Sequence, residues 1–360
     1  MADAPRFVLA PMDGMTRAPF RVICFGYGAA GATTEMIQSL AYGRAKRRLS
    51  ETFLETLVRL PGEGNLAAQL IGSNPAMMAE SARRLTALQR FDAIEINMGC
   101  PARKVVGSGN GSAILKDPAL AVSILRAVRE STDLPVRLKL RLGWDDQHIT
   151  APEIIRAAQA LGLESVTLHG RTRMQLYSGK VDVDAIRAIV NASTLPIYAN
   201  GGVTCAADAL TFLTETGAAG VAIGRAALKQ PWIFDDICRL QMGQSLPRRD
   251  AAERVGVLLR LAELSCKHRP ERVAIQEMRK FSGWLLPGLS GAGEVLAALN
   301  HIDTLEGYRI LLEGFLNDLT RRNDVYIHPE LEPDMTLDTV KREERAMPSS
   351  PTQTQKRPCE

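Results

Sequence analysis

The sequence predicts an α/β protein, a (β/α)8 TIM barrel followed by a small C-terminal helical domain, on three observations. Eight short apolar runs recur: "RFVLAPM", "GATTEMI", "NLAAQLIG", "AIEINMG", "VRLKLRLGW", "SVTLHGR", "PIYANGG" and "GVAIGR", each bounded by Gly, Pro or polar residues. The segments between them, such as "PAMMAESARRLTALQ" and "DPALAVSILRAVRES", carry apolar residues at the i, i+3, i+4 spacing of a helix. Eight such alternations by residue 240 are the quota of a closed barrel, whereas an open doubly wound sheet usually stops at five or six strands. Beyond that point the strand-like runs cease and "AAERVGVLLRLAELSCKH", "AIQEMRKFSGWLL", "GAGEVLAALNHI" and "TLEGYRILLEGFLNDLT" read as helices.

The expected division is therefore a barrel over 1–240, a helical domain over 246–325 joined by "GQSLPRRD", and a disordered tail over 331–360, which has no aromatic residue and little to bury. The 360 residues are 46% hydrophobic and 23% charged, enough for a large core without staples. A net charge of +4 permits a polyanionic partner without demanding one. The six cysteines form no C-x-x-C pair and have no histidine at ligand spacing, so neither a metal site nor a disulfide framework is expected, and a reducing cytoplasm fits. The N-terminus lacks a basic and then apolar leader, and no run of about 18 apolar residues occurs, so neither secretion nor membrane spanning is expected. A monomer is the default expectation.

In a TIM barrel the chemistry sits where strands end. Taken in order, the exits carry Met12 on the first strand, Gln69 on the third, Asn97 and Cys100 on the fourth, Lys139 on the fifth, His169 and Arg171 on the sixth, Asn200 on the seventh and Arg225 on the eighth. Any one of these has an ordinary explanation as a satisfied core side chain; a ring of them converging on one mouth does not. On the fourth strand Ile94 and Ile96 alternate with acidic and polar residues before Gly99, Cys100 and Pro101 hand over to a loop. On the fifth, Arg137, Lys139 and Arg141 share one side and leucines the other, which turns the cations toward the lumen because the outer face packs apolar helices. Gly201, Gly202 and Gly224 allow close approach of backbone N–H groups to an anion, as at barrel phosphate sites; alternatively they simply make tight turns, and Arg225 beside Gly224 favours phosphate.

Seven segments, "APMDGMTRAPFR", "AAQLIG", "INMGCPARKVVGSGNGSAIL", "VRLKLRLGW", "LHGRT", "ANGGV" and "IGR", together resemble the tRNA-dihydrouridine synthases, and "EMRKFSGWLLPGLSGAGEVLAALN" is similar to that family's C-terminal helical domain. The resemblance covers about residues 5–320 in the expected order. It implies an FMN-dependent barrel that reduces the C5=C6 bond of particular uridines in tRNA, with NADPH recharging the flavin. By position it implies Pro11, Met12 and Asp13 along the flavin ring, Gln69 and Lys139 at its polar edge, His169 beside it, and Asn200, Gly201, Gly202, Gly224 and Arg225 at the phosphate. It makes Cys100 the proton donor to C5, with hydride passing from flavin N5 to C6, and a D-loop uridine is the expected target, where bacterial branches mostly act. The seventh-strand "NGG" and the glycine-heavy "GSGNGSAI" depart from many members and leave the branch open.

A thiol with an ordinary pKa near 8.5 is mostly protonated at neutral pH and can serve as an acid; a lysine pulling it far down would leave a thiolate without its proton. Asn97 is placed to read the uracil edge, and Gly107, Gly109 and Gly111 make the thiol's loop mobile enough to close once tRNA docks. Phosphate contacts must offset extrusion of the uridine; the candidates are Arg103 and Lys104 beside the loop, Arg171 at the mouth, and a helical-domain patch that includes Arg279 and Lys280, though any single arginine also reads as a solvated helix face. The competing readings are an FMN barrel acting on a small molecule of dihydroorotate or enoate type, and a tRNA-binding protein with a vestigial flavin. "NMGCPARK" with the helical tail weighs against the first, and Cys100, Lys139 and His169 together against the second.

Overall fold

The computed structural model describes residues 6–44 and 50–326; the expected disordered tail lies outside the described residues. Eight parallel strands close into a barrel in chain order: β1 (Arg6–Leu9), β2 (Ala32–Gln38), β3 (Leu66–Ile71), β4 (Ala93–Met98), β5 (Val136–Arg141), β6 (Ser165–His169), β7 (Ile197–Asn200) and β8 (Gly220–Ile223). Each of the eight apolar runs supplies one strand. β3, β4, β6 and β8 are buried along their whole length, as expected of strands with a packed lumen on one side and helices on the other. β1 and β2 are joined by one register pair, Leu9 with Ala32, while β1 and β8 share four.

The outer helices start where short polar side chains can take up their free amides. Asn74 accepts from Met77 N at 3.0 Å ahead of Pro75–Ala87, Asp117 from Leu120 N at 3.0 Å ahead of Pro118–Arg129, and Asp182 from Ala185 N at 2.8 Å ahead of Val183–Ala192. In the first two, proline occupies the opening position, where its missing N–H costs nothing. A bulge in β2 between Thr33 and Met36 turns Glu35 into the fold, where it is buried.

After the Ile233–Gln241 helix an extended segment leads to four helical segments: Ala251–Cys266, Glu271–Leu285, Ala292–Ala298 and Leu305–Arg321. Their core is continuous with the barrel's. Phe281 packs on Phe20 with ring centroids 5.3 Å apart, and both are buried. An ionic cluster crosses the same boundary. Arg17 reaches Glu55 at 2.5 Å, Glu35 at 3.4 Å and Glu277 at 3.5 Å, and Arg269 pairs with Glu55 at 2.8 Å and with Glu277. Among the described residues no helix is long and apolar enough to cross a membrane.

Candidate active site

Parallel strands of a closed barrel end on one rim, so their terminal side chains meet there. The deepest polar layer comes from β3, β4 and β5, where Gln69 is the register partner of Glu95, and Asn97 of Lys139. Gln69 Nε2 donates to Glu95 Oε1 at 2.6 Å, and Asn97 Nδ2 donates to Gln69 Oε1 at 2.9 Å. Asn97 Oδ1 then accepts from the backbone amides of Gly99 and Cys100, each at 3.0 Å. The carbonyl of Cys100 is held as well, by Ser112 N at 3.1 Å and Ser112 Oγ at 2.9 Å. The glycine-rich loop is thus a folded turn, a short helix Arg103–Gly107 followed by a 3-10 helix Gly111–Lys116. Gly111, at φ 59°, is required by contact: a Cβ there would lie 2.8 Å from the Cys100 carbonyl oxygen.

The opposite side of the rim is cationic. Lys139 Nζ donates to Asn200 Oδ1 at 2.9 Å, and Asn200 Nδ2 donates to the Ala222 carbonyl at 2.7 Å, which ties β5, β7 and β8 together. Arg141, 1% exposed, donates to the carbonyls of Gly99, Thr172 and Leu176, clamping the β4 exit to the loop after β6. The three β5 cations do share the lumen side: Arg137 sits at the other end of the barrel, among residues lining a cavity with Glu95, Glu164 and Tyr198. Arg171 Nη1 lies 3.2 Å from His169 Nε2; since a guanidinium only donates, Nε2 accepts and the ring proton sits on Nδ1. Burial, with Arg141, Lys139, Arg171 and Arg225 adding to it, holds His169 well below the ordinary histidine value, so the imidazole is neutral.

The same forces settle the state of the thiol. Burial lifts the Cys100 pKa; the Ala102 amide, Arg141 and Lys139 pull it down, Asp13 pushes it up, and the net shift is upward. The Cys100 thiol therefore keeps its proton at neutral pH. Burial brings Lys139 down to about 8 against the opposing charge of Glu95, whose own pKa is raised by burial.

Around this centre Gly201 and Gly202 adopt φ 111° and 79°, and a Cβ on Gly201 would fall 2.8 Å from the His169 ring, so only glycine leaves that space open. Gly224 runs directly into the Arg225–Lys229 helix, and Arg225 lies 4.9 Å from the Tyr177 ring centroid. The β1 exit, Pro11, Met12 and Asp13, adjoins it, with Met12 Sδ 3.8 Å from the point where a Gly224 side chain would start.

The candidates for RNA contact separate. Arg103 and Lys104 are exposed beside Cys100. Lys280 Nζ comes within 3.8 Å of the Cβ position of Gly14, so it overhangs the β1 exit. Arg171 is buried and donates to the Gly179 carbonyl at 2.8 Å, and Arg279 donates to the carbonyls of Leu299 and Asn300 at 3.1 and 3.0 Å; both are committed to their own turns. Glu95 and Arg141 belong to the site although neither was a candidate. Their signal was the strand alternation itself, since each lies two residues from a chosen lumen-facing position.

Residues 8–320 match the family model for dihydrouridine synthase (Dus). The chain belongs to the dihydrouridine synthase family. It is 41% identical over 304 residues to a Rhizobium leguminosarum bv. phaseoli protein named "Probable tRNA-dihydrouridine synthase", covering 81% of this chain and 89% of that one. It is 38% identical over 301 residues to tRNA-dihydrouridine synthase B of Pseudomonas aeruginosa, covering 82% and 88%. Among solved structures, histamine dehydrogenase from Rhizobium sp. 4-9 superposes with a TM-score of 0.51 at 11% identity over 73% of this chain and 49% of that one, a likeness of fold.

Proposed function

We propose that the protein is a flavin-dependent tRNA-dihydrouridine synthase that reduces the C5=C6 bond of a D-loop uridine, with FMN as bound cofactor and NADPH as reductant. The reading is carried by one observation: a half-buried cysteine that keeps its proton, clamped at the barrel rim near Arg141 and Lys139, in a chain of this family.

The residues present fit FMN. Lys139, Arg141, Arg171 and Arg225 all bear on one neutral imidazole, a positive excess that a phosphate and an electron-rich ring would neutralise, and Gly201 keeps open a space that any other residue would fill. Asn200, Gly201, Gly202, Gly224 and Arg225 would hold the phosphate; Gln69, Lys139 and His169 the polar edges of the ring, which Pro11, Met12 and Asp13 would line. When bound, FMN supplies hydride to uracil C6.

The chain supplies the proton. Cys100 Sγ–H protonates C5, its bonding electrons remain on sulfur as thiolate, and solvent returns the proton before the next turnover. Asn97 orients the thiol's loop and borders the uracil edge. Lys139 keeps a positive charge where negative charge collects. Arg103, Lys104 and Lys280 take tRNA phosphates on either side of the mouth, with the helical unit as the docking surface, while Arg171 and Arg279 brace the loops that carry them. Free Cys24, Cys100, Cys205, Cys238 and Cys266 suit a reducing cytoplasm.

The test is single-turnover reduction of unmodified tRNA transcript by photoreduced protein, following flavin absorbance and mapping dihydrouridine. Wild type should reoxidise and leave one mapped uridine, and Cys100→Ala should be slower by about 10²-fold or more. A bound flavin indifferent to tRNA would transfer the assignment to a small-molecule reductase.

A further inference from the structure

We propose that Glu95 is a positioning residue for Cys100: from two residues before Asn97 on β4, it sets the direction of a hydrogen-bond relay that ends on the thiol-bearing residue. The proposal rests on the reading above that Cys100 protonates uracil, and goes beyond it by naming what holds the acid in place.

The relay passes from Glu95 to Gln69 at 2.6 Å, from Gln69 to Asn97 at 2.9 Å, and from Asn97 to the amides of Gly99 and Cys100 at 3.0 Å. Its two ends work one way. Glu95 Oε1 accepts from Gln69 and the backbone N–H groups of Gly99 and Cys100 donate, whereas each of the two carboxamides between them could by itself be turned either way. With an acceptor at one end and donors at the other, a single arrangement satisfies every link: Gln69 Nε2 toward Glu95, Gln69 Oε1 toward Asn97 Nδ2, Asn97 Oδ1 toward Cys100. Glu95, Gln69 and Asn97 are all buried, so a reversed link would leave donor facing donor away from bulk solvent. Burial raises the Glu95 pKa, and the Lys139 charge with the Gln69 and Thr33 hydrogen bonds opposes it.

An isosteric amide removes the one-way end. In Glu95→Gln the new carboxamide can face Gln69 with its NH2 as well as with its oxygen; with the NH2 inward, Gln69 and then Asn97 must turn over or stay mismatched, and the Cys100 backbone amide loses its acceptor in the first case. Carrying Gln69→Glu together with Glu95→Gln puts an accepting carboxyl oxygen next to Asn97 Nδ2 and a donor behind it, which restores the direction where it reaches the Cys100 backbone amide.

The experiment follows alkylation of Cys100 by iodoacetamide in the flavin-loaded protein from about pH 6 to about pH 10, read by peptide mass spectrometry, beside single-turnover tRNA reduction. Glu95→Gln should displace the alkylation profile and slow tRNA reduction by about 10- to 100-fold with KM for tRNA nearly unchanged. The exchange variant should return the alkylation profile to that of wild type. A Glu95→Gln profile that superimposes on wild type, or an exchange variant as displaced as the single one, would overturn the proposal. If wild type fails to reduce tRNA while the alkylation profiles behave as stated, the functional reading falls and the relay stands.

Discussion

At the scale of single residues, burial decides which group carries a proton. Cys100 sits near Arg141 and Lys139, which lower its pKa, and desolvation overrides them because a thiolate loses more on leaving water than those charges return. Lys139 shows the same force with the opposite sign, falling from 10.5 to about 8. As pH rises through about 8 the ammonium is lost while the thiol keeps its proton, so kcat/KM should fall on the alkaline side with an apparent pKa near 8. In Lys139→Arg that limb should move upward toward the Cys100 value; a pH profile of single-turnover rates checks it. An unmoved limb would assign it to another group.

At the scale of elements, the strand exits hold the site because of backbone requirements that side-chain chemistry cannot replace. Gly201 follows β7 at φ 111° with the His169 ring 2.8 Å from where its Cβ would lie. Gly201→Ala should cost about 1–3 kcal/mol and lower the flavin content of purified protein. Gly162→Ala is the matched control: its φ is 68°, but nothing lies within 4 Å of the added carbon, so it carries strain without the collision and should keep its flavin. Flavin-to-protein absorbance ratios separate the two. The strands and most helices were legible in the sequence because period-2 and period-3.6 patterns are local properties. The loop after Cys100 was not. Its glycines read as flexibility, yet Gly109 and Gly111 serve positive-φ turns inside a folded clamp, since the Ser112 contact that defines the clamp joins residues twelve apart.

At the scale of the whole molecule, barrel and helical unit share one apolar core and one ionic cluster, so they should unfold together. Glu35 lies in that cluster, raised by burial from 4.5 to about 7 despite Arg17. Between those values the folded protein holds a proton that the unfolded chain has released, so this group's contribution to stability is lost as pH rises, on the order of 3 kcal/mol in all. Glu35→Gln should remove that slope: denaturant unfolding at pH 5 and pH 8 would show the variant gaining on wild type at the higher pH, and parallel curves would refute it. The outer surface governs a different quantity. If Arg103, Lys104 and Lys280 take tRNA phosphates, affinity should fall steeply with salt, and Lys280→Ala should lower the log–log slope by about one. A slope unchanged by that substitution would remove Lys280 from the interface.

The amino-acid sequence by itself determined the barrel and its eight strands and named residues on seven of their exits, because alternation and glycine punctuation are written in neighbouring positions and parallel strands bring like ends together. It also carried the family, through the segments around Cys100, Lys139 and His169. Tertiary structure alone decided what those residues are in chemical terms. Whether Cys100 is acid or thiolate, which nitrogen of His169 holds the proton, which way the amides of Gln69 and Asn97 point, and that Arg279 braces a turn while Lys280 reaches the mouth all depend on groups distant in sequence that share one buried volume. Charge state and hydrogen-bond direction are set by surroundings, and the surroundings exist only after the chain has folded.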